Sequence, residues 1–295
     1  MRTARETRAF LLLLLVTFVW AGLMPTGKIA LQSVPPLTIG AIRLTIGSCL
    51  LRWYMGRNPA HHVPWSPRLV GIFALLGFAG YVVGLACSYY GLRLTTVTNA
   101  ALLNAASPVS LALLSFIFLK ERLSTSALIG IVLSVLGVGI IITRGSLEVL
   151  ANSQYNLGDL ILLGTQVSWG AYTIYGRHLM LSISPLAATT YTYMAGACWL
   201  ILTSFVLEWD QWTLAEISLA SWIAIAYQTI FGTFAHFWFY DAVSTLGPSR
   251  AGIFLNLVPV VAIGIAYFFL HETITLPHLI GGAVVISGIL VATRR

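Results

Sequence analysis

The side chains that could do chemistry in this sequence are few, and most of them lie inside long apolar segments. Gln228, Gly232 and His236 follow one another at steps of four residues, so they share one face of a helix. His236 is the only histidine well inside such a segment. Its imidazole could carry protons, because the unperturbed pKa of histidine is about 6.5, or it could remain neutral and hydrogen-bond a neighbouring helix. The residue types leave both roles open.

Arg43 is a charged residue seven positions into the second apolar segment. A charge at that depth is costly in a membrane and normally faces the protein interior or a water-filled cavity. One interpretation is that the guanidinium binds an anionic group of a ligand, such as a carboxylate. The other is that Arg43 reaches outward or satisfies carbonyls at a helix end, and so holds the helices together. The structural role is the favoured expectation.

Two asparagines precede prolines within apolar segments. Asn104 lies before Pro108 and Asn256 before Pro259. A proline inside a membrane helix leaves a carbonyl one turn earlier without its partner, and a nearby amide can satisfy it. The same residues could instead mark a bend, with polar contacts along a pathway through the protein.

Aromatic residues occupy unusual depths in three segments. Trp20 and Trp169 lie near the middle of their segments, whereas tryptophan in membrane proteins collects at the interfaces. Gln166 shares a helix face with Trp169, and Tyr81 lies in a glycine-rich segment. These side chains could line a cavity or could only pack against neighbouring helices.

Glycines and prolines are placed where helices could bend or approach closely. Gly77, Gly80 and Gly84 are spaced to present small faces to another helix. Pro25 should kink the outer third of the first segment. We expect Gly77, Gly84, Gly232, Pro25 and the prolines named above to act as hinge or packing positions.

Composition places the chain in the membrane. Charged residues make up 8% of the 295 residues, and apolar ones 58%, whereas soluble domains are about 25% charged. A membrane-spanning helix needs roughly 20 apolar residues. The sequence predicts an all-α integral membrane protein with ten transmembrane helices, over 10–31, 37–55, 69–90, 97–119, 125–143, 158–178, 186–206, 218–240, 248–270 and 276–293.

The chain repeats itself. The order Pro, Glu, Gly, Gly recurs 151 positions apart, and this order is informative even in so apolar a sequence; the matched pairs are Pro108/Pro259, Glu121/Glu272, Gly130/Gly281 and Gly137/Gly288. We predict two five-helix repeats, over residues 1–145 and 146–295. Because five is odd, the second repeat enters the membrane from the opposite side, which is an inverted-topology arrangement with its ligand site expected between the halves.

Charge distribution gives the orientation. With the N-terminus inside, 12 of the 16 Lys and Arg residues fall on the inner side, Lys28, Arg93 and Arg144 fall outside, and Arg43 lies within the second segment. Cytoplasmic loops carry this excess, so both termini are predicted to be cytoplasmic. The net charge of +7 therefore reflects membrane topology and does not predict nucleic-acid binding.

The sequence gives little support to catalysis, and we expect no enzyme. It contains no Gly-x-Ser-x-Gly, His-Glu-x-x-His or Gly-x-Gly-Asp motif, and His236 has no carboxylate within its segment. Cys49, Cys87 and Cys198 lack the spacing of a metal site and are expected to be small buried side chains. We therefore predict no metal and no cofactor.

The ordered motifs resemble the EamA family of the drug/metabolite transporter superfamily, and within it the YddG-type bacterial exporters of aromatic amino acids. The resemblance rests on Trp-Ala-Gly at 20–22, Trp-Gly at 169–170, Pro36 with Arg43, and the two Pro, Glu, Gly, Gly series given above. It implies ten helices, cytoplasmic termini, a central cavity, and export of small metabolites by alternating access from a bacterial inner membrane.

On this basis we expect an exporter of aromatic and other neutral amino acids. Its cavity would be lined by Trp20, Tyr81, Asn104, Gln166, Trp169, Gln228, His236 and Asn256. The predicted partners are the amino-acid substrate and the lipid bilayer, and a monomer is compatible with the sequence, which does not settle the oligomeric state.

The alternatives are efflux of drugs or other metabolites by proton antiport, a non-transporting receptor or channel, and an intramembrane enzyme. The small multidrug resistance members of the superfamily carry a proton-coupling Glu in their first helix, which this chain lacks. Proton antiport would then depend on His236.

Overall fold

The computed structural model describes residues 4–57, 63, 66–107, 113–114, 116–118, 125–146, 148, 155–179, 183–211, 217–246 and 257–292. Within these ranges the chain is helical, with no strand. Eleven α-helices are present: α1 Ala4–Ala30, α2 Pro36–Met55, α3 Pro67–Leu76, α4 Gly84–Leu94, α5 Val97–Ala105, α6 Thr125–Ile142, α7 Leu157–Leu179, α8 Pro185–Leu207, α9 Leu219–Leu246, α10 Leu257–Leu270 and α11 Leu276–Ala292.

The helix starts follow from local sequence. Proline occupies the first position of α2, α3 and α8, where a missing amide hydrogen costs nothing. Ser66, Thr96 and Ser184 cap α3, α5 and α8, since each side chain accepts a hydrogen bond from an amide in the first turn. Each predicted membrane segment contains at least one of the described helices.

The outside of the bundle is apolar. Large side chains such as Leu11, Phe18 and Phe269 are exposed, the last by 77%. By length and composition three helical stretches suit a membrane span, Glu6–Ala30, Pro67–Leu94 and Leu186–Leu207, and four described helices are shorter but similarly apolar. An apolar exterior on a bundle whose backbone is hydrogen-bonded internally suits a lipid environment.

Cys49 and Cys198 belong to this exterior. Both are exposed, and Cys87 is half-buried. The expectation that all three cysteines are buried is therefore wrong. In an apolar exterior that faces lipid, a small apolar side chain does not need a protein neighbour.

A π-helical segment, Gly77–Val83, joins α3 to α4. A Cβ on Gly77 would lie 2.7 Å from the amide nitrogen of Gly196 in α8, and one on Gly84 would lie 2.9 Å from Oγ of Ser168 in α7. The Ser168 hydroxyl also donates to the carbonyl of Ala79, inside the π-helical segment. The glycines thus let α7 and α8 approach this segment closely, and such segments are frequent at functional sites.

Candidate functional site

An internal cavity of about 230 Å³ lies where α1, α5, α10 and α11 meet. It is mostly apolar, as ligand sites in proteins usually are, with a few polar atoms that can orient a ligand. Its lining comprises Trp20, Met24, Ala101, Asn104, Ala105, Ser107, Val258, Pro259, Ala262, Ile286 and Ile289. Three of the residues singled out from the sequence, Trp20, Asn104 and Pro259, thus share one cavity.

A cluster of two amides and a hydroxyl borders this cavity. The Nε2 group of Gln166 donates to Oδ1 of Asn104 at 2.5 Å, and the Ser107 hydroxyl donates to Oε1 of Gln166 at 2.6 Å. Among the described residues, the Asn104 amino group contacts the sulfur of Met24, at 3.9 Å. The cluster fixes the orientation of the Asn104 amide and leaves its donor side available to a molecule in the cavity.

Tyr81 and Trp169 lie in a separate aromatic cluster. Tyr81 is 3% exposed and contacts Trp169, Tyr172 and Tyr193 edge to face, with ring centroids 5.6, 5.3 and 4.8 Å apart. The cluster packs the π-helical segment against α7 and α8. The structure therefore does not bring Tyr81 or Trp169 to the wall of the cavity that Trp20 lines, and both serve as packing residues in this conformation.

Gln228 also lies apart from that cavity, in a buried polar chain with Arg43. The Tyr89 hydroxyl donates to Oε1 of Gln228 at 2.7 Å, and Nη1 of Arg43 approaches the same hydroxyl at 3.4 Å. Gly232 leaves room for the arginine, because a Cβ there would lie 3.4 Å from its Nη2. The chain links α2, α4 and α9 in the interior of the bundle.

A second polar network joins helix ends at one side of the bundle. Asp159 is 1% exposed and accepts from Oγ1 of Thr95 at 2.5 Å and from Nδ2 of Asn99 at 2.9 Å. Oδ1 of Asn99 lies 2.9 Å from Nε2 of His278. Because Nδ1 of His278 accepts from the amide of Thr275, Nε2 carries the proton and donates to Asn99. Asn99 thus connects the buried carboxylate of Asp159 with the imidazole of His278 through two hydrogen bonds.

Two carboxylates cap helices at the same side. Glu272 accepts from the amides of Val97 and Thr98 at 2.8 and 2.9 Å, at the start of α5. Glu208, 1% exposed, accepts in the same way from Leu37 and Thr38 at the start of α2. A carboxylate is favourable there because the first amides of a helix are unpaired and carry partial positive charge.

Lys28 provides the complementary contact. Its ammonium donates to the carbonyls of Leu92 and Thr95 at 2.7 and 2.5 Å, at the end of α4. A cation is favourable at the negative end of a helix. These contacts tie α1 to the junction between α4 and α5.

Some predicted residues cannot be placed. Pro108 and Asn256 lie outside the described residues, and so does the side chain of His236. Pro25 is buried within α1. The sequence analysis missed Tyr89, Asp159, Glu208 and His278, all of which lie at or just beyond the ends of the predicted segments.

Similarity to known proteins agrees with this architecture. A sequence model of the EamA-like transporter family matches the chain twice, over residues 7–143 and 156–294. The uncharacterized transporter YyaM of Bacillus subtilis is 32% identical over 226 residues, which are 76% of this chain and 72% of the relative. A probable terminal-alkyne amino-acid exporter of Streptantibioticus cattleyicolor is 26% identical over 98% of this chain and 94% of its own.

One solved crystal structure shares the fold. It superposes with a TM-score of 0.61 at 21% identity, and the match covers 98% of both chains. The family match and the relatives named as transporters point to a transporter rather than an enzyme. The chain belongs to the EamA-like transporter family, and it is a membrane transporter of small metabolites.

Proposed function

We propose that the protein exports amino acids, above all aromatic and other neutral ones, across a bacterial inner membrane by alternating access. Ten membrane helices would form two inverted five-helix repeats with both termini in the cytoplasm, and the two matches of the family model support this division. The exporter from Streptantibioticus cattleyicolor, whose name specifies an amino acid, supports the substrate class.

The observation that carries the proposal is the composition of the cavity. Trp20 and Asn104 of its wall belong to the first matched segment, and Pro259 belongs to the second. A bound ligand would therefore contact both halves. Apolar walls suit an aromatic or aliphatic side chain, and the free donor side of Asn104 suits a polar backbone group. A site between two halves that change their relative arrangement can be opened to either side in turn.

The test is uptake of labelled tryptophan, phenylalanine and threonine by proteoliposomes that contain the purified protein, with protein-free liposomes as the control. We expect time-dependent, saturable uptake of tryptophan and phenylalanine, inhibited by an excess of the unlabelled amino acid. Uptake no faster than in protein-free liposomes for all three would overturn the amino-acid proposal and return the question to drugs and other metabolites.

Proton-coupled export is a second candidate, and the buried Asp159 favours it. His278 reaches Asp159 through Asn99, and protonation of its Nδ1 would cost the hydrogen bond from the amide of Thr275. Arg144 and Glu272 are the other charged groups that act on this pair. The same uptake assay separates the candidates, because an imposed pH gradient accelerates antiport and leaves uniport unchanged.

A further inference from the structure

The buried polar chain around Arg43 has incomplete hydrogen bonding. The Nε group of Arg43 and the Nε2 group of Gln228 are both buried, and neither has a partner among the residues that the structure describes. The 3.4 Å approach of Arg43 to the Tyr89 hydroxyl is long for a hydrogen bond. Buried donors are nearly always satisfied in proteins, so two unsatisfied donors joined by one hydroxyl require an explanation.

Among the described residues, the charge of the half-buried Arg43 has no counterion. The described groups that act electrostatically on its guanidinium are the tyrosines Tyr81, Tyr89 and Tyr193, and no described carboxylate pairs with it. A cation that is largely removed from water and lacks a counterion is unfavourable. A structural arginine would be expected to have a carboxylate or helix-end carbonyls as partners, as Lys28 has at the end of α4.

We propose that Arg43, Gln228 and Tyr89 form a second substrate position, separate from the cavity lined by Trp20, and that they bind the carboxylate of the substrate at another stage of its passage. This inference rests on the amino-acid export proposed above. Arginine presents several donors in a planar arrangement that matches the two oxygens of a carboxylate. Gln228 supplies the further donor that now lacks a partner. A single buried arginine compensates one negative charge, which suits a carboxylate better than a doubly charged phosphate.

The neighbouring residues are consistent with a ligand site rather than a packed core. Gly232 in α9 keeps the space beside Nη2 of Arg43 free of a side chain. One turn further along α2, Thr233 of α9 faces Gly47, and among the described residues its buried hydroxyl likewise has no partner. Unsatisfied polar groups thus continue along the contact between α2 and α9. The tyrosine rings beside the half-buried Arg43 limit its contact with water, which strengthens an ion pair formed there.

The experiment compares three ligands that differ only in their charged groups. Phenylalanine, 3-phenylpropionate and 2-phenylethylamine are titrated against the purified full-length protein, and binding is measured by calorimetry. The wild type is expected to bind the first two and to bind the amine at least 10-fold more weakly. Arg43→Gln is expected to weaken both carboxylates at least 10-fold, and Arg43→Lys is expected to restore part of the loss. Equal binding of 3-phenylpropionate by Arg43→Gln and the wild type would overturn the proposal.

Gln228→Glu keeps the test decisive if Arg43→Gln does not fold. The new carboxylate has the same size, shares the Tyr89 hydroxyl with Arg43, and would occupy the arginine as an internal counterion. We expect a higher melting temperature together with at least 10-fold weaker binding of 3-phenylpropionate. A higher melting temperature with unchanged binding would assign Arg43 a structural role only and would overturn the proposal.

Failure of this inference is distinguishable from failure of the proposed export. If the wild type binds 3-phenylpropionate through Arg43 but takes up none of the labelled amino acids, the carboxylate site is supported and the amino-acid export is overturned. If the wild type takes up phenylalanine and neither Arg43→Gln nor Gln228→Glu changes ligand binding, the export function is supported and the carboxylate site is overturned. Chloride and acetate at equal concentration serve as further ligands, and chloride binding as tight as that of 3-phenylpropionate would overturn carboxylate recognition.

Discussion

Asn104 shows how a single side chain depends on its neighbours for its role. Its carbonyl oxygen accepts from Gln166, and this contact turns the amino group towards the cavity. Gln166 is in turn held by the Ser107 hydroxyl. A substrate group would therefore meet an amide that is already oriented, which lowers the entropy lost on binding.

Asn104→Ala should impair transport more than stability. The change removes the oriented donor and leaves Nε2 of Gln166 without its acceptor, so we expect the transport rate at low substrate concentration to fall about 10-fold, equivalent to about 1.4 kcal/mol. Uptake by proteoliposomes checks this. Thr143→Ala is the control, because Thr143 bonds only a carbonyl of its own helix within the described residues. An equal effect of the two substitutions would contradict a cavity role for Asn104.

At the scale of the helices, α6 and α11 make the closest contact in the described structure through glycine. A Cβ on Gly137 would lie 2.7 Å from the carbonyl oxygen of Gly281, and one on Gly288 would lie 2.7 Å from that of Gly130. These four glycines are the ones whose spacing marks the repeat in the sequence. Their recurrence follows from packing: two helices can approach backbone to backbone only where neither carries a side chain.

Gly137→Ala tests this contact with a control on the same helix. The added Cβ would meet backbone atoms of α11, which cannot move aside as a side chain can, so we expect the substitution to destabilise the protein by about 1–3 kcal/mol. Gly139→Ala adds the same atom where nothing lies within 4 Å and is expected to be neutral or slightly stabilising. Thermal unfolding in detergent compares them, and equal melting temperatures would contradict the close contact.

At the scale of the whole molecule, the polar network around Asp159 joins the two matched segments. Asn99 and Thr95 belong to the first, and Asp159 and His278 to the second. Glu272, in the second segment, also contacts the first segment, because it caps α5. An alternating-access cycle that opens this side must break these contacts, so their strength would set the balance between the two conformations.

Asp159→Asn should weaken the connection between the halves. The substitution keeps the size of the side chain but removes the negative charge, so the hydrogen bonds from Thr95 and Asn99 lose their charge assistance, at a cost of about 1–3 kcal/mol. A lower melting temperature in detergent is the expected result. Asp210→Asn, at an exposed position, is the control. A variant of Asp159 as stable as that control would show that the network does not hold the halves together.

The sequence alone determined the membrane environment, the positions of the helical segments and the internal similarity of the halves. These properties depend on local composition and on spacing: apolar runs must cross lipid as helices, and prolines and hydroxyl residues favour the first positions of helices. Membership of the EamA-like family could be predicted for the same reason, because its motifs are short and keep their order.

Only the tertiary structure decided which polar residues meet. Trp20 and Asn104 share a cavity, whereas Tyr81 and Gln228, chosen by the same sequence criteria, lie in separate clusters. Asp159 is polar near a helix end, so its sequence position suggested the interface, yet it is buried against two other helices. Burial and pairing depend on which faces of distant helices come together, and a helix face chosen from spacing does not specify the neighbour that covers it.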